Sequence, residues 1–410
     1  MRKFLSAFLV LVLALVLIGC KKQTNKTEEI LKKASQMTEE ELLKAAKEEI
    51  GTNKLRVQTL AAGVIKSAEK FKEKYGINYD EEEIKSVKKD ADIFRALEVV
   101  NSGEYFRDVV IAQDIRSIKQ FMEEKTIYSY KPKMDDPELK LAKEDADPLA
   151  FVYYNKLFLY NKKDTTFTIK NVWQLAGPKT EDSHIKSFSF QSPVNEKINM
   201  NFLAMLTSPV GIQRLTEAYK AYWGKDYVED PQYKNIAYKF ISELLDSVTT
   251  WHSSDTTAAK ETLVKNNTDI NGQRTIFFVG LAKHKNIAKT LDSKDINHGN
   301  ELANEILGWQ HEVEGFSGFL YKQYVTIPKT AKYPYTACLF SRFLLTEAGF
   351  NAAFGKQYGY YSSNENVKSL LADDKTIGYW KQHCISEDPN FMAQVKNDLT
   401  DFIRSKSQNK

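Results

Sequence analysis

Residues 149–161, LAFVYYNKLFLYN, form the segment that decides the fold. The segment is rich in aromatic and aliphatic residues, and it predicts a long β-strand. A second run of this kind, GFLYKQYVTIP at residues 318–328, predicts another strand. The two predicted strands bracket the middle third of the chain.

The first third of the chain alternates predicted strands with predicted helices. Thr38 and Glu41 have the spacing of a capping box, and the helix that they begin ends at Gly51. β-type runs follow from Leu55 (LRVQTLA) and at residues 108–112 (DVVIA), with helices between and after them. This alternation predicts an α/β fold with a largely parallel sheet.

The rest of the chain continues in the same way. Residues 196–251 predict a long helical block, residues 274–282 (RTIFFVGLA) predict a strand, and the C-terminal part is mostly helical. The chain has 410 residues. Single cores usually stop growing at roughly 250–300 residues, so this length predicts two lobes or domains.

An apolar run lies at the N-terminus, FLVLVLALVLIGCKK at residues 8–22, behind Arg2 and Lys3. The run is shorter than the roughly 20 apolar residues that a membrane-spanning helix needs. A short apolar run behind basic residues is typical of a secretory signal peptide. We therefore expect residues 1–19 to be a signal peptide.

The end of this run, Leu17-Ile18-Gly19-Cys20, resembles the bacterial lipobox, in which a cysteine that carries lipid follows the cleavage site. We expect Cys20 to be lipidated and to anchor the protein to a membrane. The polar residues 20–38 would then form a disordered tether. The protein would lie in the cell envelope, on the outer face of the cytoplasmic membrane or on the outer membrane.

Charge and motifs exclude several classes of protein. The formal net charge is +4, and no basic stripe interleaved with aromatic residues is present, so nucleic acid is not an expected partner. The six histidines form no HExxH or HxH pair, and CxxC, P-loop and G-x-S-x-G motifs are missing. We therefore assign no catalytic residue, no metal site and no cofactor.

Cys338 and Cys384 would be buried thiols or a disulfide.

Several segments, taken in order, resemble the extracellular solute-binding proteins of ABC importers, in the group that includes ferric-iron binders. The resemblance covers roughly residues 39–363. It rests on an opening helix, a small-residue loop, a crossover strand and a C-terminal helix with its loop. The segments are EELLKAAKEE, AEKFKEKYGI, DVVIAQDI, PLAFVYYNKLFLYN, IKNVWQLAGPK and RFLLTEAGFNAAFGKQYGYY.

This resemblance implies two lobes, each a mostly parallel sheet flanked by helices, joined by crossing hinge strands. Lobe 1 would comprise residues 39–150 and a return over residues 326–410, which include the C-terminal helices. Lobe 2 would comprise residues 151–325. The protein would be a monomer that binds a small solute in the cleft and delivers it to an ABC permease.

Candidate ligand-binding residues lie at the ends of predicted strands and the starts of predicted helices, where backbone N–H groups are free. One loop contains Thr59, Ala61 and Gly63, and Asp114 and Asn195 begin two other helices. Tyr154 would reach the cleft from the crossover strand. Lys285 follows the strand at residues 274–282, in the loop KHKN.

The ligand stays open between ferric iron, an iron complex and a small anion. Phenolate oxygen suits Fe(III), and two adjacent tyrosine pairs exist, Tyr153-Tyr154 and Tyr360-Tyr361. In a strand, neighbouring side chains point to opposite faces, so at most one of the first pair can face the cleft. Lys283 and Lys285 would repel a cation and attract an anion.

Two other classes of protein remain as alternatives, a surface lipoprotein that acts as an adhesin or scaffold and a membrane-tethered enzyme.

Overall fold

The computed structural model describes residues 25–80, 87, 89–162, 169–176, 187–264, 275–368 and 375–408. The expected signal peptide at residues 1–19 and the expected lipid at Cys20 lie outside the described residues, and both stay predictions.

The described chain contains helices and strands along its whole length. Up to the first long strand they are α1 (Lys26–Ala34), α2 (Glu39–Ile50), β1 (Val57–Thr59), α3 (Val64–Tyr75), α4 (Asp90–Asn101), β2 (Val109–Ala112), α5 (Ile115–Glu123), β3 (Ile127–Tyr128) and β4 (Ala150–Asn161). The middle part contains α6 (Trp173–Ala176), β5 (Ser187–Gln191), α7 (Lys197–Met205), α8 (Pro209–Trp223), α9 (Ile236–Asp246), β6 (Val248–His252), α10 (Asp255–Val264), β7 (Thr275–Gly280), α11 (His284–Leu291), α12 (Ile296–Ile306) and β8 (Leu307–Trp309). The last part contains β9 (Gly318–Pro328), α13 (Pro334–Leu344), α14 (Glu347–Phe354), β10 (Tyr360–Ser362), α15 (Ile377–His383), β11 (Ile385–Ser386), α16 (Pro389–Ala393) and α17 (Asn397–Gln408).

Two long strands, β4 and β9, cross the middle of the molecule and pair antiparallel with each other. Tyr154 pairs with Tyr321, and Lys156 pairs with Phe319. Strand β9 continues the sheet to β2, and β4 continues it to β7 on the other side. The two strands predicted at residues 149–161 and 318–328 are therefore confirmed, and they connect two halves of one sheet.

Each half of the sheet contains parallel strands. We call the half with β1 and β2 lobe 1, and the half with β5, β6 and β7 lobe 2. The strand order is β1-β2-β9-β4-β7-β5-β6. Helices α3 and α14 pack together over lobe 1, and α10, α11 and α12 pack near β7 in lobe 2. This is the predicted α/β fold with two lobes, each a mostly parallel sheet flanked by helices.

Alternate residues of β4 belong to two separate hydrophobic cores. Tyr154 and Phe158 belong to the large core that extends through both lobes. Tyr153 and Leu157 belong to a smaller core together with Trp380. This alternation follows from the period of two in a β-strand, and it gives the crossing strands two faces with different surroundings.

The structure corrects the prediction of a disordered tether over residues 20–38. Within this range, residues 26–34 form α1, which packs against α13. Thr27, Ile30, Leu31 and Ala34 are buried at helical spacing, and the Thr27 hydroxyl donates a hydrogen bond to the carbonyl of Lys329 (2.9 Å). The composition of the segment is polar, but three apolar residues on one face are sufficient for docking onto another helix.

A second correction concerns the long helical block predicted over residues 196–251. The chain forms α7, α8 and α9 there, but it ends the block with strand β6, which contains Trp251. Strand β6 pairs parallel with β5. Valine, threonine and tryptophan favour a strand once a neighbouring edge is available, so tertiary pairing decides this segment.

Cys338 and Cys384 are buried, and no disulfide joins them. Burial raises the pKa of the Cys338 thiol well above its usual value.

None of the helices in the described part of the chain is long and apolar enough to span a membrane.

Candidate functional site

A cavity of about 560 Å³ lies between the lobes, over one face of the crossing strands. The carboxyl ends of β1 and β2 reach it from lobe 1, and those of β5, β6 and β7 reach it from lobe 2. Ligands of open α/β sheets bind outside the carboxyl ends of the strands, so this is the expected place for a binding site. The residues that line it include Ala61, Gly63, Lys66, Gln113, Tyr154, Lys156, Gln191, Glu196, Asp255, Lys283, Lys285, Tyr321, Gln323, Phe354, Gln357 and Tyr360.

The loop between β1 and α3 brings backbone close to the cavity. Ala61 and Gly63 line the cavity, whereas Thr59 is fully buried beneath them and accepts a hydrogen bond from the N–H of Ala61 (3.0 Å). A side chain on Gly63 would place its Cβ 2.8 Å from the carbonyl oxygen of Ala353. Thr59 therefore shapes the loop, and glycine at position 63 allows the close approach of α14.

The structure places Asp114 outside the cavity, and the neighbouring Gln113 lines it instead. The N–H groups of Gln113 and Asp114 both donate to the carboxylate of Asp90 (3.1 and 2.9 Å). The Asp114 carboxylate turns away and accepts hydrogen bonds from Ser117 (2.7 Å) and Asn201 (3.5 Å). Burial, and secondarily the charge of Asp114, raises the pKa of Asp90 to about 7.

Three tyrosines form the floor of the cavity. The rings of Tyr154 and Tyr321 stack with centroids 5.1 Å apart, and Tyr360 meets Tyr154 edge-on at 4.9 Å. The Tyr154 hydroxyl donates to Gln323 (2.7 Å). Burial raises the pKa of Tyr154 and Tyr321 well above the usual value and that of Tyr360 to about 12. The phenols are therefore held in the neutral form.

Each adjacent tyrosine pair contributes one phenol to the cavity. Tyr153 points to the opposite face of β4, where its hydroxyl donates to Asp145 (2.6 Å). Tyr361 also lies on that face, and it accepts a hydrogen bond from the indole of Trp380 (2.8 Å). The alternation predicted for Tyr153 and Tyr154 is the one observed, and the same rule separates Tyr360 from Tyr361.

A buried ion pair connects the floor to lobe 2. The Lys156 ammonium lies 3.1 Å from Asp255 and donates to the amide oxygen of Asn199 (2.7 Å). Asp255 also accepts a hydrogen bond from the N–H of Gly280 (3.2 Å). Sequence reasoning missed both charged residues, although one signal was present: a lysine two residues after Tyr154 must share its face of the strand.

The remaining charged side chains of the cavity come from both lobes. Lys283 and Lys285 line the cavity at the start of α11, and Lys66 faces them from α3. Partial burial, and then the charges of Lys289 and Lys66, lower the pKa of Lys285. Asn195 is exposed and does not line the cavity. Its neighbour Glu196 does, and its side chain caps α7 at the N–H of Ile198 (3.0 Å).

Four of the seven predicted ligand-binding residues therefore meet in one cavity, namely Ala61, Gly63, Tyr154 and Lys285, and their binding role stays a prediction. With Lys156 neutralised by Asp255, the cavity holds three further ammonium groups and the carboxylate of Glu196. Within the described residues, no group of three or more His, Cys, Asp or Glu side chains is arranged to hold a metal ion. The surroundings favour a solute with negative charge and hydrogen-bonding groups.

Neither a protein-family model nor a curated protein matches the sequence. Solved structures do resemble the fold. Iron-bound HitA from Pseudomonas aeruginosa has a TM-score of 0.58 and 14% identity, over 86% of this chain and 98% of that one. The apo ferric ion-binding protein A from Pasteurella haemolytica has a TM-score of 0.60 and 11% identity, over 87% and 99%. The periplasmic binding protein AfuA from Actinobacillus pleuropneumoniae, with fructose-6-phosphate bound, has a TM-score of 0.52 and 16% identity, over 86% and 96%. These likenesses show that the chain has the two-lobe fold of periplasmic binding proteins.

Proposed function

We propose that the protein is a solute-binding protein of an ABC importer, which captures a small solute between its lobes and delivers it to a permease. The observation that carries this proposal is the cavity at the carboxyl ends of the strands of both lobes, built on the two crossing strands. The likeness to binding proteins of this fold supports it. Closure of the lobes about β4 and β9 would enclose the solute, as in other proteins with hinged lobes.

The solute we propose is a small organic anion. Lys66, Lys283 and Lys285 supply ammonium groups at one end of the cavity. Glutamine amides and tyrosine rings are also part of its lining, which suits the polar body of an organic molecule. The three phenols are buried and neutral, so they add hydrogen-bonding groups and no negative charge to the lining.

The membrane anchor is part of the proposal. A lipid on Cys20 would hold the protein at the surface of a membrane, in the cell envelope and beside its permease, with no oligomerisation required. Replacing the thiol in Cys20→Ser should abolish labelling by radioactive palmitate and leave an unprocessed precursor. Normal labelling of this variant would refute the anchor.

Lys285 gives the most direct test of the cavity. Isothermal titration calorimetry of a panel of phosphorylated and carboxylated solutes would first identify one that binds. Lys285→Ala should then weaken its binding about ten- to a hundredfold, the loss of one charge-assisted hydrogen bond of about 1.5–3 kcal/mol. Lys289→Ala is the matched control, because Lys289 is an exposed lysine of the same helix that does not line the cavity. Equal losses in both variants would refute a specific contact.

Ferric iron is the outcome that would overturn the choice of ligand. A tyrosinate bound to iron gives a visible charge-transfer band, which we do not expect on adding ferric citrate. A band that is lost in Tyr154→Phe but kept in Lys285→Ala would show that phenolates hold the metal. The solute-binding function would then stand, and the anionic solute would not.

A further inference from the structure

A second, basic cavity lies at the opposite end of the lobe 1 strands from the cleft. Its volume is about 340 Å³, and it is lined by residues that precede β1 and β2 and follow β9. Of the described residues that line it, Lys54, Arg56 and Lys332 are basic and Asp80 is acidic. Thr52, Asn53, Tyr105 and Tyr333 complete the lining. We call these residues the basic pocket.

The basic pocket has a rigid frame. Asp108 is buried beneath it and accepts hydrogen bonds from the N–H groups of Arg56 (3.1 Å) and Lys332 (2.9 Å) and from the Tyr105 hydroxyl (3.0 Å). The Tyr105 ring lies between two cations, with the Lys332 ammonium 4.3 Å and the Arg56 guanidinium 5.8 Å from its centroid. One carboxylate therefore fixes the three chain segments that present the charges.

Among the described residues, the side-chain charges of the basic pocket are partly compensated. Arg56 has a loose ion pair with Asp80 at 3.6 Å. In the described part of the chain, neither Lys54 nor Lys332 forms an ion pair, and both are exposed. Two ammonium groups and a partly paired guanidinium around one small cavity favour an anion with several oxygens, such as a phosphate group.

The first described residues lie near this pocket. Thr27, at the beginning of α1, is hydrogen-bonded to the carbonyl of Lys329, three residues before Lys332. Four residues lie between the proposed lipid on Cys20 and Asn25, the first described residue. The five Cα–Cα steps from Cys20 to Asn25 span at most about 18 Å. A lipid on Cys20 therefore holds this side of lobe 1 close to the headgroups.

We propose that the basic pocket contacts the phosphate of an anionic phospholipid in the membrane that carries the anchor, which rests on the proposed lipidation of Cys20. The cleft then opens away from the membrane, because it lies at the other end of β1 and β2. A few basic residues bind weakly to an anionic membrane surface, and each charge raises the affinity about fivefold. Such a contact orients the protein for capture and releases readily for delivery.

The test measures how fast individual lysines react while the protein is on a membrane. The lipidated protein is reconstituted on vesicles of phosphatidylcholine, with or without about a third phosphatidylglycerol, and treated briefly with an amine-acetylating reagent. Mass spectrometry then gives the extent of labelling at each lysine. Lys54 and Lys332 should react several-fold more slowly on the phosphatidylglycerol vesicles, and 0.5 M salt should remove the difference. Lys289, an exposed lysine of α11 that does not line the cavity, is the internal control and should react equally on both kinds of vesicle.

A matched pair of variants sharpens the test, because it measures vesicle binding directly. The unlipidated protein with Lys54→Gln and Lys332→Gln should sediment with phosphatidylglycerol vesicles about 25-fold less than its parent, at about fivefold for each charge. The control carries Lys70→Gln and Lys72→Gln, two exposed lysines of α3, and should sediment like the parent.

The possible outcomes distinguish the phospholipid contact of the basic pocket from the lipid anchor on which it rests. Equal labelling on both vesicles, with the lipid present by mass, would overturn the contact and leave the anchor standing. A protein without lipid would overturn both. If inorganic phosphate at millimolar concentration protects Lys54 and Lys332 in solution as strongly as the vesicles do, the pocket is a site for free phosphate and the lipid assignment is wrong. Solute binding in the cleft is measured separately and does not depend on these results.

Discussion

Two buried lysine–aspartate pairs lie on opposite faces of the crossing strands. On the cleft face, Lys156 of β4 pairs with Asp255 at 3.1 Å, with side chains 2% and 8% exposed. On the other face, Lys322 of β9 pairs with Asp145 at 2.7 Å, with side chains 3% and 0% exposed. The chemistry is the same, but the first pair borders a cavity and the second is enclosed by protein.

The two ion pairs differ in the other groups that each aspartate contacts. Asp145 accepts a hydrogen bond from Tyr153 (2.6 Å) and has a second lysine, Lys381, at 3.6 Å. Asp255 connects β4 to lobe 2 through Gly280, and its lysine has a further partner in Asn199. A buried charge that loses its only partner is very costly, whereas one that keeps a partner and can reach water is less so. The enclosed pair therefore serves stability, and the cleft pair also sets the charge of the cavity.

Asp145→Asn should have the largest effect on stability. It leaves Lys322 in a buried site without an opposite charge at bonding distance, and breaking a buried pair in this way costs about 3–5 kcal/mol. Urea unfolding would measure the loss in the free energy of unfolding, and solute affinity should stay unchanged. A loss below 1 kcal/mol would show that the two faces do not differ as described.

Asp255→Asn should cost less, about 1–3 kcal/mol, because Lys156 keeps Asn199 and borders the cavity. The same change also removes a negative charge from the cavity lining, so an anionic solute should bind more tightly than to the unaltered protein. Calorimetry and urea unfolding on one sample would give both numbers. Weaker binding of the anion, with the fold intact, would show that Asp255 itself contacts the solute.

The enclosed face should also give the stability of the protein a pH dependence. Burial raises the pKa of Glu387 from 4.5 to about 8, although Tyr324 donates a hydrogen bond to it (2.9 Å). Lys322 lowers this pKa and Asp114 raises it further. Between pH 4.5 and about 8, the folded protein holds a proton that the unfolded chain releases. Its stability should therefore fall as pH rises through this window, by at most about 1.4 kcal/mol per pH unit.

Glu387→Gln isolates this contribution, because the amide cannot titrate. Its free energy of unfolding, measured in urea at several pH values, should change less between pH 4.5 and 8 than that of the unaltered protein. Parallel curves for the two proteins would mean that the proton is not taken up at Glu387.

The sequence predicts the two crossing strands, and about half of the predicted ligand-binding residues line the cavity. The runs at residues 149–161 and 318–328 are rich in aromatic and aliphatic residues, so their conformation follows from local composition. Gly63 and Lys285 were predicted because each lies in the segment after a predicted strand. Predictions based on position at a strand end tolerate little error, and Asp114 and Asn195 each lie one position away from a residue that lines the cavity.

The first of these two shifts has a cause that lies far away in the sequence, and the second has a local cause. Gln113 rather than Asp114 faces the cavity because Asp90, 23 residues before Gln113, holds both N–H groups of this turn. Glu196 rather than Asn195 faces it because Glu196 caps α7. Asp255 was missed together with strand β6, which the helical pattern around it concealed. Residue spacing alone does not contain such long-range hydrogen bonds and pairings.

The late position of β9 in the chain has a consequence for how the protein is made. Val110 of β2 pairs with Thr326, so lobe 1 lacks its inner neighbour until more than 200 further residues have been added. The strands β5, β6 and β7 of lobe 2 all lie within residues 187–280. A polypeptide that emerges from its N-terminus can therefore assemble the later lobe first, while β2 waits with an unpaired edge. Such long-range pairing makes folding slow and leaves the nascent lobe 1 the part most in need of protection from aggregation.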